Sequence, residues 1–394
     1  MGKEKMQAVV AGLAMDIKGH TRDGARFNNY SVYMNTRGDR FLEADDGSFH
    51  MVFSKLSGFT AKWGRTFDDD PPFNPFGNEI ADIEITRACR GIRDKDGVRH
   101  PCPFCYKANT EHGKYMSLAT FINIFNKLDA AKTMTQIAFG VDAEASEELN
   151  PDIWKIFAYT ADHGVTPNVT VADISDETAK KIVQYCGATA VSAYPVNKDR
   201  CYDSVQKLLA EAKRQGRIGY KVNIHAMVSE ETYDFLFELL EDVQHDKRLE
   251  GLNAVVFLSL KQKGRGTAFH RIDDDKFKRL VDYCFEHHVR FGMDSCSANK
   301  FLRSIKDSPN FEEMSMYVEP CEKLLYSLYI NVDGRLFPCS FMEHEGNWVE
   351  GIDMLKIKDF YREVWMSPLA ARDREVSMRC IECNGCNSCH YYDI

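Results

Sequence analysis

The sequence has no excess of positive charge. Fifty lysines and arginines stand against 59 aspartates and glutamates, for a net charge of −9. That balance argues against a surface built to coat nucleic acid, though a local basic channel stays open. Long apolar runs are missing too. The longest near the middle, 254–258, falls far short of the roughly 20 residues that span a bilayer. Low-complexity tracts are absent, as are internal repeats beyond a strand–helix unit. The N-terminal GKEKMQAVVAGLAM has two lysines before a short apolar run, but Glu4 interrupts the basic part and Asp16 and Lys18 follow at once. It reads as a strand and not as a secretory leader, which makes the chain cytoplasmic. What remains is ordinary globular composition, 44% hydrophobic and 28% charged, over 394 residues. That length suits one large domain with an attachment, or two domains.

Cysteine is the exception to this plainness. There are 13, an odd number in a chain with no sign of export, so a disulfide framework is not expected. They are unevenly placed. Cys89, Cys102 and Cys105 form one group; Cys321, Cys339, Cys380, Cys383, Cys386 and Cys389 form another. Clustered thiols in a reducing compartment bind metal. Cys186, Cys201 and Cys284 stand singly on or beside helical patterns and read as packing residues. Three thiols are one short of a structural zinc site. A cubane iron–sulfur cluster on three thiolates keeps one iron open. Zinc completed by His100 is the alternative, and tetrathiolate zinc is the alternative for the second group.

Residues 1–66 are rich in turns, with short strands around 30–34, 40–43 and 49–53. This antiparallel meander is a candidate substrate clamp. A polar, proline-rich connector occupies 66–77. From 80 to about 308, apolar β-branched runs at 80–86, 135–139, 168–171, 188–193, 219–227, 254–260 and 290–293 alternate with helical periodicity, for example at 202–215 and 230–243. Such alternation implies a parallel sheet, and six or so repeats fit a full or partial (β/α) barrel. Active sites of these barrels lie at the C-terminal ends of the strands. The three-cysteine group follows the first strand directly, so it belongs at that mouth. Cys296, just after the last strand, belongs there too, as a hydrogen-atom donor or as a buried small hydrophobe. Asp294 is the proton-acceptor candidate beside it.

The stretch Cys102-Pro-Phe-Cys105-Tyr106, after the lead-in IEITRAC, resembles the signature of the radical S-adenosylmethionine (SAM) superfamily, C-x3-C-x-aromatic-C. Here twelve residues, not three, separate Cys89 from Cys102, and Lys95-Asp96-Gly97 gives the insert the turn chemistry to loop out. Cys321, Gly334 and Cys339, followed by C-x2-C-x2-C-x2-C from Cys380 to Cys389, resemble the SPASM/twitch extension of that superfamily. The usual last cysteine is missing, and His390 is a non-cysteine alternative.

The resemblance implies an α/β fold: a partial (β/α)6 TIM-type barrel at 78–308, a β-rich segment and linker at 1–77, and an auxiliary-cluster domain at 309–394. It implies a SAM-binding [4Fe-4S] cluster on Cys89, Cys102 and Cys105, with one or two auxiliary clusters on the second group. Phe104, Gly140, Asp142, Thr170, Ser192 and Arg265 are the implied SAM contacts. Asp142 has an ordinary strand-to-helix turn as its alternative, and Arg265 a solvated loop. Reductive cleavage of SAM would give a 5′-deoxyadenosyl radical that takes a hydrogen atom from the substrate. The implied substrate is a residue of a peptide or protein, and the implied electron donor a flavodoxin or ferredoxin. Isomerisation or other modification of a nucleobase, such as thymidine in viral DNA, is the alternative, with the basic insert (Arg90, Arg93, Lys95, Arg99, His100) facing phosphates or simply forming a solvated turn. The opposite class is a non-catalytic zinc-bound interaction protein.

Overall fold

The computed structural model describes residues 3–319, 321–382, 392 and 394, apart from the side chains of Lys3 and 379–382. Cys383, Cys386, Cys389 and His390, and the side chain of Cys380, lie outside the described residues.

The first element corrects an expectation. The N-terminal stretch is a helix, α1 (Lys3–Gly19), not a strand. Its apolar run has helical spacing: Val10, Ala14 and Ile17 fall on one face and pack against Phe41, Val52 and Trp63. Those partners belong to an antiparallel meander, β1 (Thr21–Arg26), β2 (Tyr30–Asn35), β3 (Arg40–Ala44), β4 (His50–Phe53) and β5 (Thr60–Trp63), paired in that order. The other face, with Tyr30, Leu42 and Met51, closes on Phe76 of the connector.

The connector leads into β6 (Ile80–Glu84) and a small hairpin, β7 (Ile92–Arg93) with β8 (Arg99–His100). Strand–helix units follow: α2 (Leu118–Leu128), β9 (Gln136–Gly140), α3 (Ile153–Asp162), β10 (Thr166–Val171), α4 (Asp176–Tyr185) and β11 (Ala188–Ala193). Next come α5 (Lys198–Arg214), β12 (Lys221–Val228), α6 (Tyr233–His245), β13 (Ala254–Ser259), α7 (Asp274–Glu286), β14 (Phe291–Met293) and α8 (Ala298–Ile305). The chain continues through α9 (Phe311–Ser315), β15 (Ser327–Ile330), β16 (Arg335–Phe337), β17 (Ile352–Asp353) and α10 (Pro368–Glu382).

The large sheet runs β14-β13-β12-β11-β10-β9-β6-β15-β16-β17. β6 and β9 to β14 are parallel, seven strands matching the seven apolar runs and one more than the (β/α)6 the resemblance implies, and β15 returns from the C-terminal part to lie parallel beside β6. The barrel is not closed. Asp294 and Ser295 after β14, and Glu322 before β15, nevertheless line the same cavities, so the sheet curls until its ends face across an open seam.

Strand alternation decides what points inward. In β12, Val222, Ile224, Ala226 and Val228 bury against the helices, leaving His225 and Met227 to the interior. The meander sits at the other end. Tyr30 donates to the Ala131 carbonyl (3.0 Å) ahead of β9, and Arg40 donates to the carbonyls of Lys132 (2.9 Å) and Gly164 (3.2 Å), ahead of β9 and β10. It therefore buttresses the N-terminal ends of the strands, opposite the mouth, and is not placed to clamp a substrate there. Among the described residues, no helix is long and apolar enough to cross a membrane.

Candidate metal centre and active site

The twelve-residue insert resolves into the β7–β8 hairpin. Asp94 Oδ1 accepts the N–H groups of Asp96 (2.9 Å) and Val98 (2.9 Å), and Gly97 takes a left-handed φ of +83°. At the base of the hairpin Gly91 (φ +83°) passes so close to His100 that a Cβ would lie 2.0 Å from its carbonyl oxygen. The hairpin loops out, and Cys89 returns to Cys102 and Cys105. All three thiols line one cavity of about 540 Å³ at the C-terminal mouth.

The insert's arginines and its histidine face the protein's own carboxylates. Arg90 pairs with Glu148 (2.6 Å), Arg93 and Arg99 with Glu144 (2.8 and 2.9 Å), and His100 with Asp94 (2.7 Å). His100 is thus engaged away from the thiols. Among the described residues, no three His, Cys, Asp or Glu side chains gather tightly enough for a single metal ion. A four-iron cluster is larger than one ion and spaces its thiolates further apart. The donor set also fits on electrostatic grounds: burial pushes the Cys89 thiol up and the Cys102 thiol up to about 11, so thiolates there call for a cationic partner.

Around Cys102 the wall is apolar. Phe104 stacks on Tyr194 (centroids 5.9 Å apart) and packs on Phe269 (4.1 Å), and Cys102 Sγ lies 3.1 Å from the Tyr194 hydroxyl. Gly140, at the end of β9, and Thr170 and Ser192, on β10 and β11, line the same cavity. Two implied SAM contacts are placed differently. Asp142 turns its carboxylate into the strand-to-helix turn, accepting the N–H groups of Ser146 (2.8 Å) and Glu144 (3.2 Å), and does not line the cavity. Arg265 lines the cavity but is committed to the cysteine loop: its Nε donates to the Cys102 carbonyl (2.8 Å), its Nη1 to the Asn109 carbonyl (3.1 Å) and its backbone N–H to the Cys105 carbonyl (3.1 Å).

Across the cavity, Cys296 stands beside a buried ion pair that sequence reasoning missed. Lys261 bonds to Asp294, which also accepts the Ser297 hydroxyl. Burial works against the Lys261 charge, but Asp294, Cys296 and Cys339 outweigh it and raise its pKa. Asp294 is thus engaged by two donors instead of standing as an open base. His225 lines the cavity as a neutral ring, burial lowering it to about 4. Its signal was a lone inward-facing position on a strand with no motif around it. Cys321 and Cys339 also line the cavity, bringing two thiols of the second group to the first. Cys186, Cys201 and Cys284 are buried in the core, as packing residues should be.

No protein-family model matches the chain, and no curated protein sequence matches it. Among solved structures it is similar to Streptococcus suis SuiB bound to S-adenosylmethionine, with 14% identity and a TM-score of 0.54 over 79% of this chain and 69% of that one. The likeness is one of fold. BtrN in complex with AdoMet and 2-DOIA (11% identity, TM-score 0.39, covering 76% and 87%) and methylornithine synthase PylB (10%, 0.41, covering 80% and 84%) are more distantly similar.

Proposed function

We propose that this chain is a radical SAM enzyme, with a [4Fe-4S] cluster held by Cys89, Cys102 and Cys105. One observation carries the reading: the hairpin returns Cys89 to the C-P-F-C loop, so that three thiols meet at the strand-end mouth of an open parallel sheet. The shared fold with a protein solved in complex with S-adenosylmethionine supports it. Such a cluster would supply the single electron for reductive cleavage of SAM, chemistry that ends in hydrogen-atom abstraction from the substrate.

The chain's own residues do the rest. Phe104, Tyr194 and Phe269 keep water from the thiols. Thr170 and Ser192 offer hydroxyls to SAM. Arg265 fixes the cysteine loop through its carbonyls. Cys296 would return a hydrogen atom to the substrate radical, leaving a thiyl that one electron from the external donor and one proton restore to the thiol, and the Lys261–Asp294 pair sets the charge beside it. Cys321 and Cys339, with the cysteines of 380–389, would hold an auxiliary cluster, and a flavodoxin or ferredoxin would supply electrons. A residue of a peptide or protein is the favoured substrate over a nucleobase, because the insert's arginines are neutralised internally and leave little to meet phosphates.

Bound metal tests the reading. Protein reconstituted without oxygen should be brown and carry iron and sulfide in equal amounts. Cys102→Ala should lose the share belonging to one cluster. A colourless, zinc-loaded protein would contradict the proposal.

A further inference from the structure

We propose that Asp82 and Glu322, on the floor of the reaction cavity, seat a positively charged amino group of the substrate, whose apolar part lies in the adjoining pocket at the open seam. This deepens the radical SAM reading and rests on it. Asp82 stands mid-strand in β6 on the inward face, while its neighbours Ala81 and Ile83 bury against the helices. Glu322 comes just before β15. Both side chains line the cavity.

Both are part-exposed to the cavity they line, and neither carboxyl has a hydrogen bond or ion pair among the described residues. The neighbouring charges are already engaged. Glu84 pairs with Lys107, Asp294 with Lys261, and Lys62 lies 3.6 Å from Glu79. Lys323, on the same wall, holds its ammonium 3.7 Å from Met342 Sδ. A carboxylate drawn largely out of bulk water without a partner is poorly solvated, so two such groups aimed into one cavity point to a ligand that completes them.

The seam pocket says what is attached to that ligand's charge. Its volume is about 500 Å³, and it shares Asp294, Ser295 and Glu322 with the reaction cavity. Phe291, Phe301, Met314 and Tyr317 line it, and Glu319 stands at its edge. An apolar body with an ammonium end fits that distribution. A phosphate would meet carboxyls.

The test uses the anaerobically reconstituted full chain and two probes of equal size, phenethylamine and phenethyl alcohol, with binding read by calorimetry. The amine should bind roughly tenfold or more tightly than the alcohol. Asp82→Asn and Glu322→Gln should each abolish that preference. Both changes replace an unpartnered, cavity-facing acid with an amide of the same shape, so the unfolding midpoint of the unliganded protein should not fall. Equal affinity for the two probes, a preference kept in both variants, or a lowered midpoint marking the carboxyls as structural would each overturn the inference. Lysine amide and an aminoalkyl pyrimidine nucleoside then separate the sources of the amine: tighter binding of one identifies it, and binding of neither overturns the inference. 5′-Deoxyadenosine is measured in the same preparations. Amine preference without SAM cleavage would sink the radical reading, whereas SAM cleavage without amine preference would sink this inference alone.

Discussion

Lys107→Ala lowers folding stability by about 3–5 kcal/mol, measured by urea unfolding. The Lys107 side chain is 7% exposed; its ammonium lies 3.3 Å from Glu84, bonds to Glu343 and donates to the Tyr329 hydroxyl at 2.8 Å. The carboxylates are held from behind. Glu84 accepts the Val332 N–H (3.1 Å), and Glu343 accepts the Asn331 amide (2.8 Å). One cation from the cysteine loop thereby joins β6 to the β15–β16 hairpin. Burial keeps Glu84 above the ordinary carboxyl range, with Lys107 only partly offsetting it. Glu343 is desolvated too, but Lys107 and Asn331 outweigh that and hold it below the range. Removing Lys107 strands two buried carboxylates together. The pair Lys107→Met with Glu343→Gln should therefore lose less than Lys107→Ala alone. A loss under about 1 kcal/mol for the single variant would show the network to be as weak as a surface pair.

Gly264→Ala abolishes cluster binding while the rest of the chain stays folded. Gly264 has φ +55°, and a Cβ there would lie 2.3 Å from the Tyr106 carbonyl oxygen and 2.7 Å from that of Cys105. Those are backbone atoms, so no side chain can yield. The contact is the one by which the loop after β13 holds the cysteine loop, alongside the three Arg265 hydrogen bonds. The left-handed conformation itself costs a non-glycine residue about 1–2 kcal/mol. Gly216→Ala isolates that cost, because Gly216 has φ +64° with nothing within 4 Å of its Cβ position. Bound iron per chain should fall in Gly264→Ala and hold in Gly216→Ala. Equal iron in both would mean the close approach is not needed.

Much of this arrangement could be read from the chain because it is local. The parallel strands announce themselves as β-branched runs between helical periods, and Ala188–Ala193 is where the pattern places it. The loop carrying Cys102 and Cys105 follows β6, so the barrel rule alone puts it at the mouth. The turn residues of the insert foretell its hairpin. What failed was either ambiguous or non-local. The apolar run of α1 is short enough to read as a strand, although Val10, Ala14 and Ile17 already show the helical period. Asp142 sits where a ligand-binding carboxylate belongs, but its own turn offers two N–H groups first. Arg265 meets carbonyls 156 and 163 residues away in sequence, Lys107 meets Glu343 236 residues away, and no spacing rule links them. The return of β15 to the side of β6 is equally silent in the sequence, and it is that return which brings Glu322 and Cys321 to the cavity.

The central claim is most directly tested by SAM cleavage. The reconstituted protein is given dithionite and SAM without oxygen, and 5′-deoxyadenosine is quantified beside Cys102→Ala. The account predicts product from the wild type and none from the variant. An iron-loaded wild type that yields no more 5′-deoxyadenosine than Cys102→Ala, with or without an amine-bearing substrate candidate, would contradict it.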